Sequence, residues 1–269
     1  MGFLDLRPSD APAVIEAASG RITSFRRLRE DAERLLRHVP QGKQLAFLLS
    51  RNDRFSATTY VAMQLGGHAL ALLDGTKPLA SHLHALERYR PNVVAGPEGT
   101  AAELEASGLA AEATHQLDGG EIVVLASPSE APIHPDLGLL LGTSGTTGST
   151  KFVRLSRTAV EANARSIADY IDITPAERPI TSLPLHYSFG LSVLNSHWLA
   201  GAAVVLTGES VVQRTFWEAA RRHRCTSLAG VPYTYQLLER VGYRDMALPA
   251  LTTMQQAGGA LDASLTQVY

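Results

Sequence analysis

Ten consecutive residues, Gly142-Thr143-Ser144-Gly145-Thr146-Thr147-Gly148-Ser149-Thr150-Lys151, carry no apolar side chain and follow the apolar run Leu139-Leu140-Leu141. Glycine recurs at every third position, which lets the backbone turn tightly and bring its N–H groups close to an anion. The hydroxyls of Thr143, Ser144, Thr146, Thr147 and Ser149 can each donate to a phosphate oxygen. Lys151 adds a mobile positive charge at the end. This chemistry suits a polyphosphate. A plain surface loop of turn-forming residues has a similar composition, but here the loop follows a strand-like run and ends in lysine, which favours an anion cradle. It is not a Walker A loop, because two residues separate Gly148 from Lys151.

Two further stretches could face a ligand. In Pro179–Gly190, two prolines bracket a short strand, after which His186, Tyr187, Ser188 and Phe189 crowd the strand end. Ligands of open α/β sheets bind at such carboxyl ends, although the residues would equally make an aromatic packing cluster. In Gln255–Ala260, the pair Gly258-Gly259 follows a strand and permits close approach of a flat ligand, or simply forms a turn. Between these stretches, Gly230-Val231-Pro232-Tyr233 opens a helix with proline at its start. Tyr233 is either pocket wall or core.

The loop resembles the phosphate-binding motif of the adenylate-forming superfamily of acyl-CoA synthetases, adenylation domains and luciferases, Thr-Ser-Gly-(Ser/Thr)-Thr-Gly, two residues, Lys. Thr143–Gly148 and Lys151 match it position by position. Thr150 and Phe152 stand where the family usually has Pro and Gly. The resemblance implies that Thr143, Ser144, Gly145, Thr146, Thr147, Gly148 and Lys151 grip the phosphates of ATP, with Thr146 reaching Mg2+. Pro184 and Gly190 are similar to the family's Leu-Pro-x-x-His-x-x-Gly motif, which puts Tyr187 at the usual His position beside the acid, with His186 one residue early. Tyr233 falls in a segment that lines the acyl side in the family, and Gly258, Gly259 and Ala260 match the step that packs on adenine and acyl group. By the same resemblance Lys151, Thr146 and Tyr187 are the residues nearest the chemistry.

The chain has 269 residues, enough to bury roughly three-quarters of its unfolded surface. A net charge of -2 creates no bulk field for nucleic acid or an anionic membrane. No apolar run reaches the length of a membrane span, and the first residues do not form a signal peptide. One cysteine, Cys225, cannot close an internal disulfide; it fits a cytoplasmic location and reads as a buried structural thiol.

The elements that must position these residues alternate. Residues 1–20, with Pro8, Pro12 and Gly20, read as a loosely held lead-in. Ser24 caps a helix with Phe25, Leu28, Ala32, Leu35, Leu36 and Val39 on one face and mixed charges on the other. Apolar strands at 45–49, 69–73, 92–95 and 121–126 are separated by helices at about 53–65, 79–89 and 101–107. Pro128–Pro135 is a linker. A strand at 152–155, a helix from Ser156 to about Tyr170, and further strands and helices to Asp262 complete the pattern. Continuous apolar strands between amphipathic helices indicate α/β architecture, with mostly parallel sheets covered on both faces.

The expected fold is therefore two mostly parallel sheets flanked by helices. By resemblance, 20–75 plus 178–269 share one sheet and subdomain, and 79–172 form the other. The family continues past Tyr269 with further motifs and a C-terminal lid, so the chain reads as part of a longer enzyme and is expected to be inactive by itself. The implied reaction is ATP-dependent activation of a carboxylic acid to an acyl-adenylate, then transfer to coenzyme A or to the thiol of an acyl carrier protein. A degenerate nucleotide-binding module and a carrier-protein-directed adenylation domain are the alternatives.

Overall fold

The computed structural model describes residues 8–142 and 151–266. Pro12–Glu16 (β1) and Ile22–Ser24 (β2) form an antiparallel hairpin ahead of helix Phe25–Leu36 (α1). The lead-in reading of the first twenty residues is thus corrected. Ala13 and Val14 are fully buried, because β1 also pairs in parallel with a strand nearly two hundred residues later. So distant a partner leaves no mark on a five-residue window. Ser24 does cap α1, accepting from the Arg27 amide.

The next part of the chain builds a seven-stranded sheet. Leu45–Ser50 (β3), helix Arg54–Leu65 (α2) and Ala69–Asp74 (β4) form a parallel crossover unit, with Asp53 capping α2. Helix Leu83–Tyr89 (α3), Val93–Gly96 (β5), helix Thr100–Ala106 (α4), Ala111–Leu117 (β6) and Gly120–Leu125 (β7) follow. After an irregular linker come Leu137–Gly142 (β8) and Phe152–Ser156 (β9). Their order is β6-β7-β5-β3-β4-β8-β9, parallel in the centre and antiparallel at both margins.

Helix Arg157–Tyr170 (α5) leads into the second sheet: Pro179–Ile180 (β10), helix Ser188–Leu199 (α6), Val204–Leu206 (β11), helix Arg214–Arg222 (α7), Ser227–Gly230 (β12), helix Pro232–Arg240 (α8), Thr253–Gln256 (β13) and helix Ala263–Thr266 (α9). Its order is β13-β12-β10-β11-β1-β2, all parallel except the β1–β2 edge.

The α/β class with mostly parallel sheets holds, but sheet membership differs from expectation. β3 and β4 do not join the strands after 178; they lie at the centre of the other sheet, between β5 and β8. Both are apolar along nearly their whole length and buried on both faces, which suits the middle of a helix-covered sheet. The hairpin β1–β2 takes the place assigned to them. Helix α2 is buried on all sides, from Arg54 to Gln64. One hydrophobic cluster joins Val14, Val204 and Leu206 of one sheet to Leu48, Leu70 and Leu139 of the other through residues of α1, α2 and α6, so both sheets share a core. Cys225 lies in the second core, and burial pushes its thiol up to about 12, leaving an inert side chain.

Candidate functional site

Register brings three strand ends to a common edge. Leu48 pairs with Leu72, and Leu72 with Leu141, so the carboxyl ends of β3, β4 and β8 lie side by side at Ser50, Asp74 and Gly142. Thr143, Ser144, Gly145, Thr146, Thr147 and Gly148 fall outside the described residues. The segment containing them leaves from Gly142 and returns through exposed Lys151 to Phe152, and Gly142 and Phe152 are paired across β8 and β9. Phe152 packs edge-on against Phe47 at 5.7 Å and Tyr89 at 5.2 Å between ring centroids, which anchors the start of β9 on the sheet.

The same edge receives the segment that follows β10. Asn52, just after β3, donates to Leu183 O at 3.2 Å and accepts from the Leu185 amide at 3.1 Å. One side-chain amide therefore ties the end of one sheet to the end of the other. Beyond it, His186 Nε2 stands 3.9 Å from Asp74 Oδ2, and Lys77 Nζ stands 3.6 Å from the same oxygen. The Thr76 amide and hydroxyl also donate to Asp74, at 3.0 and 2.6 Å. Burial opposes the Asp74 charge, but the Thr76 hydrogen bonds together with His186 and Lys77 outweigh it and hold the carboxyl below its usual range. For His186 burial is the largest influence; despite Asp74 it lowers the pKa, so the imidazole is neutral at pH 7. His186 Nδ1 is buried and has no hydrogen-bond partner among the described residues.

Tyr187 forms the N-cap position of α6, partly exposed. Its hydroxyl would lie 3.0 Å from a Cβ on Gly258, whose φ is +86°. Gly259, whose added Cβ would lie 3.3 Å from Pro232 Cγ, continues the same backbone against the start of α8. The structure thus brings His186, Tyr187, Gly258 and Gly259 to the carboxyl ends of strands from both sheets. Ala260 follows on the surface, and the Tyr233 side chain on the first turn of α8 is largely solvent-exposed, at 58%.

Asn52 and Asp74 were not singled out from the sequence as site residues. Asn52 stands beside Asp53, the cap of α2, and Asp74 closes β4. Only the meeting of the two sheets gives them partners. The unpartnered His186 nitrogen and the bare backbone at Gly258 are what a site shaped for a polar, flat ligand would have. Among the described residues no three His, Cys, Asp or Glu side chains cluster to hold a metal ion. Magnesium bound through nucleotide phosphates asks little more of the protein than a hydroxyl or carboxylate.

The architecture is that of an α/β protein with its candidate site at the carboxyl ends of strands from two sheets. The AMP-binding enzyme family model matches residues 5–269, and the chain belongs to that family. It is 35% identical over 107 residues to sulfoacetate–CoA ligase of Cupriavidus necator, covering 40% of this chain and 21% of that protein. Feruloyl-CoA synthase of Amycolatopsis is 26% identical over 236 residues, covering 86% of this chain and 47% of the other. Among solved structures, o-succinylbenzoate CoA synthetase of Bacillus subtilis in complex with its acyl-adenylate intermediate superposes with a TM-score of 0.77 at 21% identity, over 99% of this chain and 55% of that one. The chain spans less than half the length of these curated relatives.

Proposed function

We propose that these residues form the nucleotide- and acyl-binding part of an AMP-forming acid–thiol ligase. The carboxylate of a small acid attacks the α-phosphate of ATP, the bond to the β-phosphate breaks, and pyrophosphate leaves. A thiol then attacks the acyl-adenylate and AMP departs. Coenzyme A is the acceptor favoured by the relatives; a carrier-protein thiol is the other acceptor of the same chemistry. The cytoplasm is the compartment that this reading takes.

Charge develops on the departing pyrophosphate, so donors fixed at that place lower the barrier. On this reading Lys151 and the hydroxyls of Thr143, Ser144, Thr146 and Thr147 hold the β- and γ-phosphates, Thr146 also meeting Mg2+, which neutralises phosphate charge when bound. Gly258, Gly259 and Ala260 lie against the adenine. Tyr187 borders the carboxylate, and neutral His186 offers beside it a nitrogen that has no partner among the described residues. The observation that carries the proposal is the convergence of β4, β8 and the His186–Tyr187 segment at one edge, bridged by Asn52, in a chain of the AMP-binding family.

The test is titration of ATP with magnesium into wild type and Lys151→Ala, together with acid-dependent pyrophosphate exchange by the full-length protein. One lost charge-assisted contact should weaken ATP binding about 10- to 100-fold. Equal affinity of the two proteins would remove the phosphate role of Lys151. ATP binding without exchange for any acid would point instead to a nucleotide-binding module.

A further inference from the structure

A cavity of about 670 Å³ lies at the end of the seven-stranded sheet opposite the candidate site. Leu45 and Leu137 open β3 and β8, and Asn92 directly precedes β5, so the cavity sits at the amino ends of these strands. The length of β8 separates it from Gly142 by about 17 Å. Its floor is apolar. Leu140 is buried, whereas Leu45, Leu137 and Tyr89 are only half-buried beneath the linker that follows β7. The polar groups around it are mainly donors. Arg154 faces Leu140 across β8 and β9, so its side chain rises from the same sheet face. Arg88 lines the cavity from α3, its Cζ 5.7 Å from the Tyr89 ring centroid. Both arginines are exposed, and neither has a carboxylate partner among the described residues. Asn92 spends its Oδ1 on the Leu45 amide at 3.0 Å, which leaves its NH2 to donate. Asp136 is the one carboxylate among the described residues that line the space. His134 Nδ1 stands 4.0 Å from it, and Lys43, whose Nζ donates to Pro135 O at 2.9 Å, acts on its charge. The balance left for a ligand is positive.

We propose that this cavity is a second binding site, for an amphipathic carboxylate whose head meets Arg88 and Arg154 and whose aliphatic tail covers Leu45, Leu137 and Leu140. An apolar cavity of this size with a few converging polar groups is the usual form of a small-molecule site. The guanidinium fork matches a carboxylate in two parallel hydrogen bonds. At the ~30 Å³ that each water takes up in the liquid, the space holds about twenty non-hydrogen atoms, enough for a twelve-carbon acid. A cationic head would meet two arginines with little to offset them. The occupant would also touch Tyr89, whose ring meets that of Phe152 at 5.2 Å, one residue after Lys151.

The test is calorimetric titration of the full-length protein with dodecanoate, octanoate and dodecyltrimethylammonium, each below its micellar concentration. Dodecanoate should bind at least tenfold more tightly than octanoate, since each buried methylene adds about fourfold, and at least tenfold more tightly than the cation of equal tail. The double variant Arg88→Glu, Arg154→Glu should weaken dodecanoate at least tenfold and favour the cation instead. Ala131→Trp, which fills the cavity from the exposed linker, should weaken both ligands. The Asn92 side-chain amide and the Phe152 backbone amide should shift in resonance when dodecanoate is added to wild type. Absence of binding, or dodecanoate affinity that neither the charge reversal nor Ala131→Trp alters, would overturn the second site. Because Arg88, Arg154 and Ala131 lie away from the phosphate loop and the His186–Tyr187 segment, that result would leave the ligase reading intact.

Discussion

Tyr187 and Gly258 occupy adjoining space: a Cβ on Gly258 would sit 3.0 Å from the Tyr187 hydroxyl and 3.2 Å from Val231 Cγ1. The two residues are 71 positions apart and reach the same place from the ends of different strands, β10 and β13. With φ at +86°, Gly258 also holds a backbone conformation that side chains resist by ~1–2 kcal/mol. Gly258→Ala should therefore swing the Tyr187 ring aside. The expected result is a rise in KM for the acid of about tenfold in exchange assays of the full-length protein, with a fall in Tm of only a few degrees. A variant with unaltered KM would separate Tyr187 and Gly258 from the acid.

Asn52 is the clamp between the two sheets. Replacing it with Leu would strand the Leu183 carbonyl and the Leu185 amide, now held at 3.2 and 3.1 Å. Unsatisfied groups of this kind cost about 1–3 kcal/mol, less where water reaches them. Asn52→Leu should lower urea stability by about 2 kcal/mol and blunt activity through the displaced His186–Tyr187 segment. Unchanged stability and activity would show that the Pro184–Tyr187 segment holds its course unaided.

Much of this layout could be read from the chain. Continuous apolar runs such as Leu45–Leu49 and Ala69–Leu73 announced buried parallel strands, and caps at Ser24, Asp53 and Ser156 fixed helix starts because their side-chain oxygens accept nearby amides. What escaped was non-local. β1 is a strand only because Val14 pairs with both Val204 and Thr23. β6 alternates half-buried and exposed residues and borrows its place from β7. The site followed the same division. His186, Tyr187 and Gly258 stood out by residue type, whereas Asn52 and Asp74 gain meaning only from partners more than a hundred residues away.

Gly190 in α6 is set by contact rather than by turn geometry. A Cβ there would lie 2.3 Å from the Pro184 carbonyl oxygen and 2.9 Å from that of Leu183. In an ordinary helix interior Gly→Ala gains nearly 1 kcal/mol. Here the rigid backbone opposite reverses the sign, and Gly190→Ala should destabilise the fold by roughly 3 kcal/mol or more. Urea denaturation checks this. A neutral or stabilising result would mean that α6 can slide away from the Leu183–Pro184 turn.

The histidines make acid the weak side of this fold. His38, His68, His186 and His197 all have pKa values below the ordinary 6.5, in each case chiefly because burial disfavours the imidazolium. A group whose folded pKa is depressed binds more protons when unfolded, so stability rises with pH across that window. It is fully present above about 6.5 and drains away as pH falls through the lower, folded values. Melting followed from pH 7.5 to pH 5 should show Tm falling steadily below about 6.5, before most carboxylates titrate. At His186 the Asp74 carboxylate partly offsets burial, so Asp74→Asn should push that imidazole's titration further down. Its Cε1 proton resonance reports the midpoint directly. An upward move, or none, would mean that the 3.9 Å approach of Asp74 carries no influence on the ring.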